Sequence, residues 1–570
     1  MSDRHDLVVR GGTVADGTGA AVREADVAID DGRITAVGVG VGPGRDEIDA
    51  GGLLVTPGWV DVHTHYDGQV SWDSLLAPSS WQGVTTAVMG NCGVGFAPVR
   101  PDRHAWLIEL MEGVEDIPGT ALHEGISWEW ESFPEYLDAL DRRHFALDVG
   151  AQVPHAALRG YVMGDRGGDH TEVPTGAEIE RMGALAAEGV RAGALGFSTS
   201  RTVNHRSKSG AFTPSLTATA AELLGIARAV GATGQGVLEV VADLDDVDGE
   251  FALIRSLAEV SGRPVSLTVL QNPARPDVWR RVLDLIGAAA AAGVPMNGQV
   301  PTRPVGMVMG IDSRVNPFVA SPTYSGLAAR GRAALVAGLR DPEVRSWVLS
   351  ETEAARDHSP LTRFPAAFPL GDPPDYAPPP ASSVRAVAAR EGRSEFAVAL
   401  DMLLADDGTG RLYLPVMNYA DGDLAATRAM LTHPNTVPGL GDAGAHCTLI
   451  CDASMPTFLL THWARDAAPA ERLPVEYVVK RQTADTADLV GLGDRGRLLP
   501  GRRADLNVVD LDRLGTGTPE LVADLPAGGQ RLVQRASGYR ATVVAGTVVH
   551  RDGTDTGARP GRLVRGARGV

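Results

Sequence analysis

The chain has 570 residues, 44% of them hydrophobic and 22% charged, and its 71 acidic against 52 basic side chains give a formal charge of −19. This acidic excess disfavours nucleic acid or an anionic membrane surface as a partner. The sequence contains no run of about 18 apolar residues, so no membrane span is predicted. Three cysteines are too few for a disulfide framework in so long a chain. Since the first residues also contain no apolar segment of the signal-peptide type, we expect a cytoplasmic protein.

Both ends of the chain are rich in short β-type segments separated by glycine-rich or Asp-Gly turns. These segments lie at residues 6–10, 25–29, 33–37, 504–509 and 541–550. Because the region between them follows a different pattern, we predict one small β-sandwich domain built from both termini, residues 1–56 and 491–570.

The middle of the chain alternates short apolar strands with helical stretches rich in Ala, Leu, Glu and Arg. This alternation is typical of repeated βα units around a parallel sheet. Eight strands are predicted, at residues 59–63, 85–89, 147–151, 194–197, 236–240, 265–269, 294–297 and 436–440. The predicted fold class is therefore α/β, with residues 57–490 forming a (β/α)8 TIM barrel whose active site lies at the carboxyl ends of the strands.

One segment of the barrel region, residues 305–407, is too long for a simple connection between two strands. It contains a proline-rich run at residues 368–380. Long insertions of this kind often serve as lids or binding loops. We predict an insertion that places loops over the mouth of the barrel.

The most informative local pattern is the pair His63 and His65 at the end of the first predicted strand. Residues two apart in a strand project to the same side. Two neutral imidazoles at this spacing are able to bind one borderline metal ion such as zinc. An isolated His-x-His is usually two ordinary loop histidines, but its place at a strand end favours a metal site.

Three more candidates follow other predicted strands. Cys92 comes after the second strand, where it is either a thiolate ligand or a buried inert cysteine. Asp442 follows the eighth strand and is placed to bind the metal and to take a proton from attacking water, although an Asp between glycines is also a common turn residue. His446 is a candidate donor to a developing oxyanion or a simple loop cap.

Further candidates at the predicted barrel mouth are His155 after the third strand, Arg201 and His205 after the fourth, and Arg303 after the seventh. We assign His155 a catalytic role beside Asp442 and His446, and the others to substrate binding. An arginine here is able to clamp a substrate carboxylate, with a solvated ion pair as the alternative. Carbamylation of Lys208 as a bridging ligand is a further, weaker option.

Several of these motifs together resemble the amidohydrolase superfamily, specifically its N-acyl-D-amino-acid deacylase (D-aminoacylase-like) branch. The resemblance covers most of the chain and is carried by residues 51–67, 90–93, 494–505 and 557–562. It implies a (β/α)8 barrel with a small β-sandwich and metal-assisted hydrolysis of an amide-type bond. It also implies one metal position with His63, His65 and Asp442, a second with Cys92, and Asp442 as the catalytic base.

The chain departs from this branch at positions that matter. The branch completes its tighter zinc site with one histidine after each of strands five and six, where this sequence has Glu239 and Thr268 nearby and no histidine. A lysine expected after the second histidine is replaced by Gln271, and no arginine lies between Asp442 and Arg465. Glu239 is a possible substitute ligand, and we group it with the candidate substrate-binding residues. We expect one zinc or other divalent metal per chain.

The function predicted is a metal-dependent amidohydrolase that cleaves a non-peptide C–N bond, linear or cyclic, in a small molecule. The substrate need not be an N-acyl-D-amino acid, because groups that grip such substrates are absent. Two alternatives stay open: an ester or lactone hydrolase or deaminase on the same fold, and a non-catalytic binder with a degenerate metal site. Assembly into a homo-oligomer is also compatible with the sequence.

Overall fold

The computed structural model describes residues 4–356, 361 and 363–566. Its strands are β1 (His5–Val14), β2 (Arg23–Asp30), β3 (Arg33–Gly38), β4 (Gly44–Asp49), β5 (Leu54–Pro57), β6 (Trp59–Asp61), β7 (Val84–Met89), β8 (Asp148–Pro154), β9 (Gly196–Arg201), β10 (Val237–Ala242), β11 (Val265–Thr268), β12 (Met296–Val300), β13 (Val305–Met309), β14 (Phe368–Pro369), β15 (Leu412–Met417), β16 (Thr436–Pro438), β17 (Leu506–Val509), β18 (Gly515–Thr516), β19 (Glu520–Val522), β20 (Arg531–Val533), β21 (Ala536–Ser537), β22 (Tyr539–Val544), β23 (Thr547–Arg551) and β24 (Thr554–Asp555).

The helices alternate with the central strands and also fill the inserted segment. They are α1 (His104–Val114), α2 (Gly119–Gly125), α3 (Phe133–Asp141), α4 (His155–Met163), α5 (Gly176–Ala192), α6 (Ala220–Gly231), α7 (Val247–Ser261), α8 (Val278–Ala291), α9 (Pro322–Ala328), α10 (Arg332–Arg340), α11 (Pro342–Ala354), α12 (Val384–Glu391), α13 (Glu395–Gly408), α14 (Ala425–Thr432), α15 (Met455–Phe458), α16 (Val475–Lys480) and α17 (Thr486–Leu489). Among the helices in the described ranges, none has the length and apolar character needed to cross a bilayer.

The centre of the molecule is a parallel sheet of eight strands in the order β6-β7-β8-β9-β10-β11-β12-β16. A parallel bridge between Thr64 and Ala443, just beyond β6 and β16, joins its first and last strands. Each strand corresponds to one of the eight predicted from the sequence, and the predicted α/β barrel class is confirmed. The carboxyl ends of all eight strands therefore meet at one mouth.

Helices of the outer layer begin where the sequence provides capping residues. Helix α5 starts with a capping box, in which the Thr175 hydroxyl accepts from the Glu178 backbone and the Glu178 side chain accepts from the Thr175 backbone. Thr219 caps α6 in the same way through its hydroxyl. The apolar faces of these helices, such as Met182 and Val190 of α5, are buried in the largest apolar cluster of the protein. This packing fixes the strand ends that carry the site residues.

A second sheet contains nine strands and draws on both ends of the chain. Its order is β24-β23-β22-β17-β5-β1-β2-β3, with β4 paired to β1. The strands surround an apolar cluster that includes Val9, Val27, Leu506 and Val543. Strand β5 pairs with β17, more than 400 residues away, and leads directly into β6 of the barrel. The sandwich form of this domain and its boundaries at residues 56 and 490 stay predictions.

The motif at residues 494–505 ties the carboxyl-terminal part of the chain to the base of the barrel. The buried guanidinium of Arg495 donates to Asp148 Oδ2 at 2.7 Å, at the start of β8, and to Thr86 Oγ1 at 2.8 Å. Arg503 donates to the other oxygen of Asp148 at 2.9 Å. The arginines of this motif therefore hold a buried carboxylate that would otherwise have no counter-charge.

Replacement of Arg495 by methionine is expected to destabilise the protein by about 1–3 kcal/mol, because the buried oxygens of Asp148 and Thr86 lose a donor while Arg503 still compensates the charge of Asp148. Urea unfolding followed by fluorescence measures the change. Arg497→Met is the matched control, since Arg497 pairs with Asp488 at a partly exposed position and such pairs contribute about 1 kcal/mol or less. Equal shifts for both variants would contradict the structural role of Arg495.

The segment between β12 and β16 forms a unit with its own core. Strands β13, β14 and β15 make a small antiparallel sheet, and helices α9–α13 pack on it around a separate apolar cluster that includes Phe318, Phe364 and Phe396. Because β15 pairs with β13, the inserted unit extends to Met417, beyond residue 407. The Val308 N–H donates to the Leu449 carbonyl at 2.7 Å, which places this unit beside the loop that follows β16. Its role as a lid stays a prediction.

Candidate active site

Both histidines of the first strand end lie inside the barrel mouth. The side chains of His63 and His65 are each 1% exposed, and their ring centroids are 5.4 Å apart. His63 Nδ1 donates to Gln299 Oε1 at 2.8 Å. The backbone N–H of His65 donates to the carbonyl of Ala443 at 2.8 Å. The bond to Gln299 orients the His63 ring so that its Nε2 lone pair faces Cys92 and Asp442.

The side chains of Cys92 and Asp442 lie next to His63 Nε2. Cys92 Sγ lies 3.2 Å and Asp442 Oδ1 3.4 Å from His63 Nε2, and Asp442 Oδ1 is 3.8 Å from His65 Nε2. Both residues have left-handed backbone angles, with φ of 56° for Cys92 and 44° for Asp442. Tight turns directly after β7 and β16 thus direct the thiol and the carboxylate to the two imidazoles.

The three separations of 3.2, 3.4 and 3.8 Å are compatible with shared ligation of one divalent metal ion. Zinc bonds of about 2.0–2.3 Å in tetrahedral geometry place neighbouring ligand atoms about 3.3–3.8 Å apart. The ligand atoms of His63, His65 and Cys92 all lie within 4.8 Å of one another. Asp442 Oδ1 is buried and has no hydrogen-bond partner among the described residues, which is the state expected of an oxygen that serves as a ligand.

Burial dominates the electrostatics around this cluster. It lowers the pKa of His65 well below the ordinary value and raises the pKa of the Cys92 thiol well above its own. It also raises the pKa of Glu239 to about 7, against the attraction of His63. The imidazole of His65 is therefore neutral, as a metal ligand must be.

The family of the chain is decided by comparison with a model of the amidohydrolase family, which matches residues 46–550. The chain belongs to the amidohydrolase family.

Well-covered relatives of this amidohydrolase are deacylases. D-aminoacylase of Alcaligenes xylosoxydans xylosoxydans is 28% identical over 578 aligned residues, which cover 99% of this chain and 98% of that protein. N-acyl-D-glutamate deacylase of the same organism is also 28% identical, with 99% and 97% covered.

A solved structure shows the same architecture. N-acyl-D-glutamate deacylase of Bordetella bronchiseptica, in complex with zinc and a phosphonate that mimics the tetrahedral intermediate, aligns with a TM-score of 0.65 at 25% identity over 99% of this chain and 100% of that chain. The predicted resemblance is confirmed, and this amidohydrolase is a metal-dependent hydrolase of carbon–nitrogen bonds.

Glu239 faces the interior of the barrel beside the metal cluster. Its Oε2 accepts the backbone N–H of Cys92 at 3.0 Å, while its Oε1 has no partner within the described part of the chain. The structure thus places Glu239 behind Cys92, where it holds the turn that presents the thiol. Substrate binding by Glu239, as assigned from the sequence, stays a prediction.

The two candidates after β9 occupy different places. His205 is half-buried, with Nδ1 2.9 Å from Ser200 Oγ, and it lines a cavity at the barrel mouth. Burial, together with the charges of His446 and His63, lowers the pKa of His205 to about 3. Arg201 instead donates to the carbonyl of Ala218 at 2.7 Å, beside the start of α6. The geometry therefore favours His205, and not Arg201, as a substrate contact.

Arg303 does not fit the substrate-binding role expected from the sequence. Its guanidinium is fully buried, 2.8 Å from Asp452 Oδ1, and it also donates to Cys451 and Ser454. The guanidinium further stacks on Tyr376, 3.7 Å from the ring centroid. A carboxylate from a distant part of the sequence thus already occupies the position that a substrate carboxylate would take.

His155 does not fit the catalytic role either. It is fully buried at the start of α4, and both ring nitrogens are engaged: Nδ1 with Thr199 Oγ1 at 2.9 Å and Nε2 with Glu222 Oε1 at 3.0 Å. Glu222 also holds Arg159 through two short hydrogen bonds. His155 therefore belongs to a buried ion network that links α4 to α6, and it has no nitrogen left for an oxyanion.

His446 lies near the cluster, with its Nε2 4.0 Å from Glu115 Oε2, and its ring is about a quarter exposed. Lys208 lies at the surface, where it pairs with Glu112 at 2.7 Å, so the option of a bridging lysine is wrong.

Two residues that the sequence analysis did not predict, Gln299 and Glu115, lie next to the histidines. Gln299 lies in β12, so the rule that site residues lie at the carboxyl ends of barrel strands would have identified it. Glu115 follows a helix, and no pattern in the neighbouring sequence marks it as a site residue.

A cavity of about 180 Å³ opens at the ends of β9, β10 and β11, next to His205. Glu239 and Val241 lie on the same side of β10 because they are two residues apart. Val241, which lines the cavity, is closer than Glu239 to the carboxyl end of the strand. The lining is largely apolar and includes Val241, Leu244, Leu270, Trp279, Val282 and Met417. Concave and mostly apolar cavities of this kind are typical of small-molecule binding sites.

Proposed function

We propose that this amidohydrolase cleaves a linear or cyclic non-peptide amide with Asp442 as general base and one divalent metal ion, zinc by preference, per chain. The proposed metal ligands are His63, His65, Cys92 and Asp442. The observation that carries the proposal is the placement of two side chains around His63 Nε2, with Cys92 Sγ at 3.2 Å and Asp442 Oδ1 at 3.4 Å, while Asp442 Oδ1 also lies 3.8 Å from His65 Nε2.

The roles of the residues follow from their positions. A divalent ion bound here would supply Lewis acidity and a lower pKa for attacking water. Asp442 takes the proton of that water and delivers it to the leaving nitrogen. His446, partly exposed beside the cluster, is the proposed donor to the oxyanion that develops on the amide oxygen.

A single metal ion is favoured by the residues that follow strands five and six. Glu239 has one oxygen bonded to the Cys92 backbone, and Thr268 offers only a hydroxyl. A D-aminoacylase with a TM-score of 0.66 and 25% identity is described by its binuclear centre, with one-metal activation and second-metal attenuation. We propose that this chain keeps one metal position, the one formed by His63, His65, Cys92 and Asp442.

The cavity next to His205 supports a substrate whose extended part is apolar and uncharged. Its cation, Arg275, is already taken by the carbonyls of Leu244 and Asp243 and by the Asp245 carboxylate. Gln271, where the family resemblance implies a lysine, donates to Asp421 Oδ2 at 2.7 Å and accepts from the Ala420 N–H at 3.1 Å. Two buried polar atoms of the lining, Thr268 Oγ1 and Trp279 Nε1, have no hydrogen-bond partner among the described residues, and both are neutral.

Acetate release from racemic N-acetylleucinamide is expected to have a kcat/KM at least about tenfold above that of racemic N-acetylglutamate, since a buried carboxylate would lack a counter-charge. Leu270→Arg should reduce this preference or reverse it by adding a cation to the lining. Val260→Arg, a change on the exposed face of α7, is the control and should leave it unchanged. A wild-type preference for the glutamate derivative would rule out the apolar cavity as the substrate site.

Matched amide and ester substrates distinguish the amidase from an ester or lactone hydrolase. Action in the cytoplasm and assembly into a homo-oligomer stay predictions.

A further inference from the structure

A buried carboxylate outside the predicted set lies against the metal cluster. Glu115 follows the last turn of α1 and is 1% exposed. Its backbone N–H donates to the Met111 carbonyl at 2.9 Å, and its backbone carbonyl accepts from the His446 N–H. The end of a helix and the loop after β16 therefore fix the backbone of Glu115 on both sides.

The two carboxylate oxygens of Glu115 face two different imidazoles. Oε1 lies 3.4 Å from His65 Nδ1, and Oε2 lies 4.0 Å from His446 Nε2. Within the described ranges, neither Glu115 Oε1 nor His65 Nδ1 has a hydrogen-bond partner, although both atoms are buried. A buried polar atom without a partner is costly, and these two atoms, a ring nitrogen that is able to donate and an acceptor oxygen, lie 3.4 Å apart.

The other ring nitrogen of His65 has a different neighbour. Nε2 lies 3.8 Å from Asp442 Oδ1, on the side of the proposed metal ligands. Ligand histidines in metal sites generally donate their second ring N–H to a carboxylate or carbonyl, which fixes the tautomer and the ring orientation. His63 already has such a partner in Gln299.

We propose that Glu115 is the positioning residue of His65: it accepts the Nδ1–H of His65 and so presents the Nε2 lone pair to the metal. The inference rests on the proposed role of His65 as a ligand. It requires only an acceptor oxygen, which a carboxylate and a neutral carboxyl both provide. The second oxygen lies 4.0 Å from His446 Nε2, so the same carboxylate is next to both the metal ligand and the proposed oxyanion donor.

The test compares two substitutions with opposite expectations. Glu115→Met removes the acceptor but keeps most of the volume, and it should weaken zinc binding by about 10–100-fold. Glu115→Gln keeps an acceptor oxygen and should stay within about threefold of the wild type. Glu112→Gln, on the same helix and paired with Lys208 at the surface, is the matched control. Competition with a chromophoric chelator measures the zinc affinity, independently of turnover.

Unchanged zinc affinity in Glu115→Met would overturn the proposal. A loss of more than tenfold in Glu115→Gln would also overturn it. If the methionine variant does not fold, the zinc affinity of the glutamine variant alone is the test. In a His65→Ala background, Glu115→Met should have no further effect on zinc affinity, whereas a purely structural role would still weaken it. If the wild-type protein binds no zinc, it is the proposed function that fails, and the two failures are thereby distinguished.

Discussion

Substitution of Asp442 by asparagine is expected to lower kcat by about 10²–10⁴-fold, because the proposed general base is removed. Asparagine has nearly the same shape and also tolerates the left-handed backbone angle that Asp442 adopts. The fold should therefore be retained, and the loss should appear in kcat more than in KM. Steady-state kinetics on the best amide substrate, with circular dichroism and metal content on the same samples, measure the effect.

A matched control is available elsewhere in the chain. Asp552 also has a positive φ, of 51°, but lies in an exposed hairpin turn next to Arg540. Asp552→Asn should leave kcat unchanged. If Asp442→Asn retained the wild-type rate with its metal bound, another group would have to take the proton, and the mechanism proposed here would be wrong.

The strand pattern of the sequence predicts the metal cluster because its members share one feature. His63, Cys92 and Asp442 each follow a short apolar strand, and parallel strands of a barrel bring their carboxyl ends to one mouth. The hydrophobic pattern that locates a strand therefore also locates the residue that follows it. No contact between distant residues has to be known for this step.

The failures have the opposite origin. Arg303 and His155 also follow strands, but their actual partners, Asp452 and Glu222, come from a loop and a helix that strand patterns do not place. Which of several buried charges pair with each other depends on distances of a few ångströms between separate elements. For the same reason Glu115, at the end of a helix between the second and third barrel strands, was not predicted.

The extent of the inserted unit has a similar explanation. The proline-rich run predicts a long excursion from the barrel, but the end of the unit is set by the pairing of β15 with β13 across about 100 residues. Strand β15 by itself is a short apolar segment like those of the barrel. Local pattern thus identifies such a segment, and only its partner shows to which sheet it belongs.

Removal of metal is expected to abolish turnover, and addition of one equivalent of zinc per chain should restore it. His63→Ala should lose both zinc binding and activity, because it removes a side chain whose Nε2 lies 3.2 Å from Cys92 Sγ and 3.4 Å from Asp442 Oδ1. Zinc at 100 times its Kd should also stabilise the wild-type fold by about 2.7 kcal/mol. Metal analysis after dialysis against dipicolinate and thermal unfolding with and without zinc provide the measurements.

His123→Ala, at an exposed position of α2, is the control for the loss of a histidine and should behave like the wild type. The stoichiometry separates the competing hypotheses. Two zinc ions per chain would mean that Glu239 and Thr268 complete a second site after all. A folded protein that takes up no zinc on reconstitution would favour a binder with a degenerate site. The four side chains would then lie close together without binding a metal ion.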